Sequence, residues 1–275
     1  MTQPPARLAD KVAIVTGAGS RADGIGNGRA SAILLARNGA KVALVDQNPD
    51  WVARTQAMID AEGGTSLTVL ADVTDPDDCA RIVRETVRAW GRLDILVNNV
   101  GISGPPGTAV EVDLAAWDQA LRVNVTSMML MAKYAIPEML RAGHGGAIVN
   151  LASYAGLFGG HPSLLYPTSK GAVVNMTRAM AAHHAADGIR VNAVAPGMVY
   201  TPMVYAGGMS ESLREARKNR SLLKVEGSGW DVGNGVLYLV SDEARWVTGI
   251  VLPVDAGASA APSAYPRGGK AGVPG

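Results

Sequence analysis

The sequence predicts an α/β fold, a doubly wound parallel sheet of about seven strands with helices on both faces, contained in a single domain. Three observations carry this. Short β-branched runs alternate along the chain with longer stretches of helical period. Several of the short runs are apolar throughout, which is the pattern of strands covered by helices on both faces. With 275 residues, 48% hydrophobic and 18% charged, the chain is long enough to bury a two-sided sheet.

Strands are expected at Val12–Thr16, Lys41–Asp46, Leu67–Ala71, Ile95–Asn98, Ala147–Leu151, Val191–Val194 and Ile250–Val254. Helices are expected near Gly28–Arg37, Asp50–Glu62, Asp75–Trp90, Leu114–Arg141, Thr168–Ala186 and Asp231–Leu239. Strand–helix–strand repeats imply right-handed crossovers, and Pro253, lacking an amide donor, puts the last strand at a sheet edge. Two segments depart from the rhythm. Residues 200–220, with Met203, Val204, Tyr205, Met209 and the pair Gly207-Gly208, read as a lid over a pocket or as a surface excursion. Residues 1–257 form the domain, and 258–275 form a Gly/Pro-rich tail of a composition expected to be disordered.

Composition removes several function classes. A net charge of +1 gives no reason to expect nucleic acid or an anionic membrane as partner. The single cysteine, Cys79, cannot form an internal disulfide, and no Cys/His spacing suggests a metal. No apolar run approaches membrane-spanning length, so the expected location is cytoplasmic.

The first strand runs into Thr16-Gly17-Ala18-Gly19-Ser20-Arg21-Ala22-Asp23-Gly24-Ile25-Gly26-Asn27-Gly28, followed by a helix. Glycines let backbone amides approach a pyrophosphate, and the helix N-terminus favours negative charge. Glycine density alone is weak evidence, because tight turns use it too. Asp46, closing the second strand, strengthens it: an acid there accepts hydrogen bonds from the adenosine ribose and repels a 2′-phosphate. The bland alternative is a solvated strand-end carboxylate.

On these residues the chain resembles the short-chain dehydrogenase/reductases over about residues 8–257, which implies a Rossmann-type sheet and a nicotinamide dinucleotide cofactor. The opening glycine motif is present but stretched by about five residues. Gly17 matches its first glycine, and Gly26 and Gly28 lie in register with the helix, leaving Arg21, Gly24 and Ile25 in or beside the extended phosphate loop. By the same resemblance Asp72-Val73 contacts adenine, Asn98-Asn99-Val100-Gly101 matches an Asn-Asn-Ala-Gly segment, and Pro196-Gly197-Met198-Val199-Tyr200-Thr201 holds the nicotinamide carboxamide. The cofactor-site candidates are therefore Gly17, Arg21, Gly24, Ile25, Gly26, Gly28, Asp46, Asp72, Val73, Asn99, Gly101, Tyr166, Lys170, Pro196, Val199 and Thr201.

Tyr166-Pro167-Thr168-Ser169-Lys170 is the chemical centre. A spacing of four puts Tyr166 and Lys170 on one helix face. A phenol with a pKa of ~10 is a poor base at neutral pH; a neighbouring ammonium favours the phenolate and is expected to bring it toward working pH. Tyr-x-x-x-Lys is common by chance, and two partners raise its meaning. Ser153, thirteen residues before the tyrosine, matches the family's interval and would hold the substrate oxygen. Asn124, in Arg122-Val123-Asn124-Val125, matches the asparagine that positions a relay water beside the lysine. The plainer readings are a strand-end turn former and a buried amide.

The resemblance implies hydride transfer between NAD and a secondary alcohol or ketone, with Asn124, Ser153, Tyr166 and Lys170 as the catalytic set and no metal. Alternatives are an NADPH-linked ketoreductase, for which Arg21 is the argument, a catalytically silent dinucleotide-binding protein, and a sugar-nucleotide epimerase, whose further domain this length does not accommodate. The pocket is expected to include Ser153, Ala155, Leu157, Phe158, Ile102, His161, Met203 and Tyr205. It is largely apolar and suits a substrate with a hydrophobic body. His183-His184 reads as a solvated or interface face, Met128-Met129-Leu130-Met131 as core or interface, and Trp230, Tyr238 and Trp246 as packing. By the same resemblance, pairing through the two long helices and the C-terminal edge is expected to give a homotetramer.

Overall fold

A computed structural model describes residues 6–261; residues 262–275 of the expected tail lie outside the described residues. Seven parallel strands form one sheet in the order β3-β2-β1-β4-β5-β6-β7. They are β1 (Val12–Thr16), β2 (Lys41–Asp46), β3 (Thr65–Leu70), β4 (Ile95–Asn98), β5 (Gly146–Leu151), β6 (Ile189–Pro196) and β7 (Val251–Val254). β7 is an edge strand, where the missing amide of Pro253 costs no inner ladder bond. β3 starts two residues earlier than expected and stops before Ala71. As the opposite edge strand it is half-buried or exposed over most of its length, so hydrophobicity marks its limits poorly.

The inner strands are buried on both sides, and their residues divide by parity. Ala13, Val15, Val42, Leu44, Ile95 and Val97 join one core; Val12, Ile14, Ala43, Val45 and Leu96 join the other. The first core is closed by α1 (Asn27–Arg37), α2 (Pro49–Ala61) and a C-terminal helix, Gly229–Val240. The second is closed by α3 (Pro76–Trp90), α5 (Ser127–Ala142) and part of α6 (Leu165–His184). Helix starts follow local chemistry: Asn48 caps α2 and Asp75 caps α3, each with proline at the first helical position. Ser228 and Asp231 form a capping box on the C-terminal helix.

Two departures from the expected helices shape the site. The stretch 114–141 is not one helix; it divides into α4 (Leu114–Leu121), a π turn (Arg122–Thr126) and α5. The wider turn, of a kind often found at functional sites, carries the buried Asn124. Helix α6 begins at Leu165, not Thr168, because Pro167 lies in its first turn, where a missing N–H breaks no helical bond. Tyr166 and Lys170 are thereby both helical. Residues 200–220 carry two short helices, α7 (Pro202–Tyr205) and α8 (Glu211–Lys218), and the C-terminal helix is α9. Trp230 packs on the first core beneath the Arg37 guanidinium, 4.9 Å from its ring centre. Trp246, expected to pack, is 91% exposed.

Candidate active site

β1 is flanked by β2 and β4, so the chain leaves it in opposite directions on its two sides. Beyond the C-terminal strand ends a cleft of about 1020 Å³ opens at this reversal. Gly17, Arg21, Gly26, Gly28, Asp46, Asp72, Val73, Asn99 and Gly101 line its dinucleotide end. Ser153, Tyr166, Lys170, Pro196, Val199 and Thr201 line the other. Gly24, Ile25 and Asn124 do not line it.

The phosphate loop suits an anion. Gly17 has φ +63°, and a Cβ on Gly28 would lie 2.0 Å from the Gly17 carbonyl oxygen, so the start of α1 can pack this closely only on glycine. Gly26, the N-cap of α1, offers no side-chain cap, which leaves the first-turn amides to a ligand. Beside them Ser20 Oγ and Asn27 Oδ1 are buried without a partner among the described residues. Asp46 closes the strand as expected, accepting from the Gly19 amide at 2.9 Å and the Asn48 amide at 3.1 Å. A pyrophosphate on these amides and a ribose at Asp46 fit the residues present. Arg21 is exposed on the cleft wall.

The extended part of the loop has a structural office that glycine spacing did not reveal. Arg29, 2% exposed, donates to the Gly24 carbonyl at 2.6 Å, to the Trp51 carbonyl at 3.0 Å and to Thr55 Oγ1 at 3.0 Å. Burial holds its pKa below the ordinary arginine value. Thr55 in turn donates to the Ala18 carbonyl at 2.8 Å, so both limbs of the loop are tied to α2. Gly24, at φ +126°, lies under the hydroxyl of Tyr205, which donates to the Asp23 carbonyl at 2.9 Å. Tyr205 is therefore not in the pocket. Its ring packs on Tyr200 at 4.6 Å, and Tyr200 lies under the Arg214 guanidinium at 4.2 Å. The lid helix is pinned to the phosphate loop.

Tyr166, Ser153 and Lys170 meet where the cleft reaches α6. Lys170 is buried and donates to the Leu151 carbonyl at 2.8 Å; its Nζ is 5.9 Å from the Tyr166 ring centre. Burial lowers the Lys170 ammonium to about 8. The Tyr166 phenol does not show the lowering expected from its neighbour. Burial pushes it up, and the neighbouring Ser153 hydroxyl offsets part of that rise. Ser153 Oγ also accepts from the Ala155 amide at 3.2 Å, so the turn-forming role is real as well. Asn124 accepts from the Ile102 amide at 2.8 Å and donates to the Ile102 carbonyl at 2.9 Å and to Ser169 Oγ at 3.0 Å. Gly101 separates it from the lysine: a Cβ there would sit 3.2 Å from Lys170 Nζ and 3.4 Å from Asn124 Oδ1.

Ala155, Ile102, His161 and Met203 face the cleft as expected, joined by Met198, Val204, Met209, Gln119 and Arg217. Leu157 and Phe158 turn away, the first onto the α6 core and the second onto Tyr154 at 5.1 Å. Burial pushes the Cys79 thiol up to about 12, so it is not a nucleophile.

This geometry has known counterparts. Residues 19–259 match the model of a family described as Enoyl-(Acyl carrier protein) reductase. Cis-4-hydroxycyclohexanecarboxylate dehydrogenase of Sinomonas cyclohexanicum is 40% identical over 92% of this chain and 98% of its own. A short-chain dehydrogenase/reductase structure from Burkholderia xenovorans is 43% identical, with a TM-score of 0.87 over 93% of this chain and 98% of the other. The chain belongs to the short-chain dehydrogenase/reductase family. Within it, carveol dehydrogenase from Mycobacterium avium, solved in complex with NAD, is 30% identical and superposes with a TM-score of 0.86 over 93% of this chain and 99% of its own.

Proposed function

We propose that this protein is an NAD-dependent oxidoreductase that interconverts a secondary alcohol and a ketone on an apolar body. The observation that carries the reading is the meeting of Tyr166, Ser153 and Lys170 in a cleft that continues to Asp46. Relatives named for cis-4-hydroxycyclohexanecarboxylate and for carveol support an alcohol substrate.

When bound, the dinucleotide supplies the hydride acceptor or donor and, oxidised, a positive charge beside the phenol that favours the phenolate. Ser153 holds the substrate oxygen against the phenol. For ketone reduction Tyr166, which burial keeps protonated, donates its proton to that oxygen. For alcohol oxidation the phenolate takes the hydroxyl proton, and the Lys170 ammonium, after releasing a proton of its own to solvent, passes it onward. With a pKa of about 8 that ammonium is mainly charged at pH 7 and close enough to neutrality to exchange a proton. Asn124 fixes Ile102 and Ser169 around the lysine and sets the wall along which a relay water would pass. Asp46 accepts from the ribose and selects NAD over NADP. The cation needed to favour NADP is confined to the exposed Arg21, which leaves the NADPH-linked alternative weaker.

The test is Tyr166→Phe. Turnover should fall by about 10²–10⁴-fold, the usual worth of acid–base help, while NAD affinity stays within about threefold. A variant keeping more than about a tenth of the wild-type rate refutes the role. We propose further that the chain assembles as a homotetramer through α4–α5, α6 and the β7 edge, where the exposed Trp246 would be covered.

A further inference from the structure

We propose that Arg217 reads an anionic group at the far end of the substrate, so that the preferred alcohols are carboxylates: an apolar body with a secondary hydroxyl at one end and a carboxylate at the other. This rests on the alcohol–ketone reading above and extends it to the substrate class.

Arg217 lies on α8 of the lid and lines the cleft together with Met198, Val199, Met203, Val204 and Met209. It is half-buried, and its recorded protein hydrogen bond is a long one, from Nη2 to the Val199 carbonyl at 3.4 Å. A guanidinium has five donors, so most of its capacity is unspent. The lid's carboxylates are committed elsewhere. Glu226 takes Arg214 in a bidentate pair at 2.6 Å for both contacts, Glu211 lies 3.8 Å from Arg214, and Glu215 pairs with Lys218 at 3.3 Å. Arg217 makes no ion pair among the described residues. Burial lowers its pKa, and the charge that acts on it is a second cation, Arg220.

A cation held among methionines and valines without a counter-ion is costly unless a ligand brings one. Its neighbour Arg214 shows how the same helix satisfies an arginine when the purpose is structural, with a carboxylate in a fork and an aromatic face beneath it. Arg217 has neither. A planar guanidinium in such a setting suits a carboxylate bidentately. In the proposed complex Tyr166 and Ser153 hold the hydroxyl and Arg217, on α8, holds the anion, all three lining the one cleft with the apolar side chains. Closing the lid on an acid would join the two.

The experiment compares a series of secondary hydroxy acids of increasing chain length with their matching primary amides, using the NAD-loaded wild-type enzyme. The acid of best length should exceed its amide by about tenfold to a hundredfold in kcat/KM, the range expected of a charge-assisted bidentate pair. Arg217→Gln should bring that ratio near unity, and Arg217→Lys should retain part of it. Equal rates for acid and amide on the wild-type enzyme overturn the proposal without any variant. So does a preference that survives Arg217→Gln, or a loss that falls on the KM of NAD instead of the acid, which would assign the guanidinium to the cofactor. Calorimetric binding of the same compounds to the NAD-loaded protein runs beside turnover. Acids that bind through Arg217 and are never oxidised would uphold the anion site and refute the alcohol–ketone reading.

Discussion

Lys170 carries a thermodynamic cost that its removal should reveal. The ammonium is buried, and its pKa falls from the ordinary 10.5 to about 8 by desolvation. That difference corresponds to about 3 kcal/mol of folding free energy lost at neutral pH, where both folded and unfolded chains carry the charge. Lys170→Met keeps a side chain of similar length in the same space and removes the charge. It forfeits the bond to the Leu151 carbonyl, worth about 1 kcal/mol. The net expectation is a variant more stable by about 2 kcal/mol and roughly 4–8 °C in Tm, with turnover abolished. The pH dependence fixes the sign. An unfolded lysine holds its proton up to 10.5 and the folded one only to about 8, so between these values the unfolded chain binds more protons and wild-type stability rises with pH. The advantage of Lys170→Met should therefore be constant below pH 8 and shrink above it. Calorimetry or urea unfolding at pH 7 and pH 9.5 reads both quantities. A variant no more stable than wild type at pH 7, or a gap that widens toward pH 9.5, would refute the reasoning.

Three further outcomes are expected. Asp46→Ser should narrow the preference for NAD over NADP at least tenfold in kcat/KM. Two unit charges ~4 Å apart repel by about 4 kcal/mol at an effective dielectric of 20, and the substitution also frees the Gly19 amide that Asp46 holds. Arg21→Ala should leave the ratio nearly unchanged, because an exposed arginine returns at most about 1 kcal/mol; a wild-type enzyme preferring NADP would show that the arginine reads the phosphate. Sedimentation equilibrium at micromolar concentration should give a tetramer, and a monomer would leave Trp246 without the cover proposed for it.

Most of the fold was legible because its signals are local. Strands β1, β2 and β4 have the expected limits because a buried apolar run ends in each at a polar residue, whereas the inner strand β6 runs two residues further at each end than expected. Proline and aspartate at helix starts marked α2 and α3 within a residue. Where two local signals compete, the boundary moved. The start expected at Thr168 lies after Pro167, whereas the first turn of a helix accepts proline, and that turn holds Tyr166. The π turn at Asn124 was illegible for a different reason: hydrophobic period does not distinguish a π turn inside a helix from α continuation. The chemical residues themselves were found by type and spacing, but the charge balance at the tyrosine was not. Spacing shows that an ammonium is near a phenol; it does not show that both are desolvated, and here burial is the leading cause of both shifts.

The features that individualise the site depend on contacts between distant parts of the chain. Tyr205 and Asp23 are 182 residues apart, and as separate sequence features they read as a pocket aromatic and part of an unexplained insertion. Together they explain each other. The longer loop extends far enough to meet the lid, Arg29 braces it from beneath through the Gly24 carbonyl, and Gly24 supplies the positive φ and the missing Cβ that let the Tyr205 hydroxyl lie against it. A side chain at Gly24 would collide at 2.1 Å with that hydroxyl. The Arg214–Tyr200–Tyr205 stack then carries the tie back to α8, the helix that bears Arg217. The dinucleotide's phosphate loop and the lid residue facing the far end of the substrate are thus parts of one braced unit.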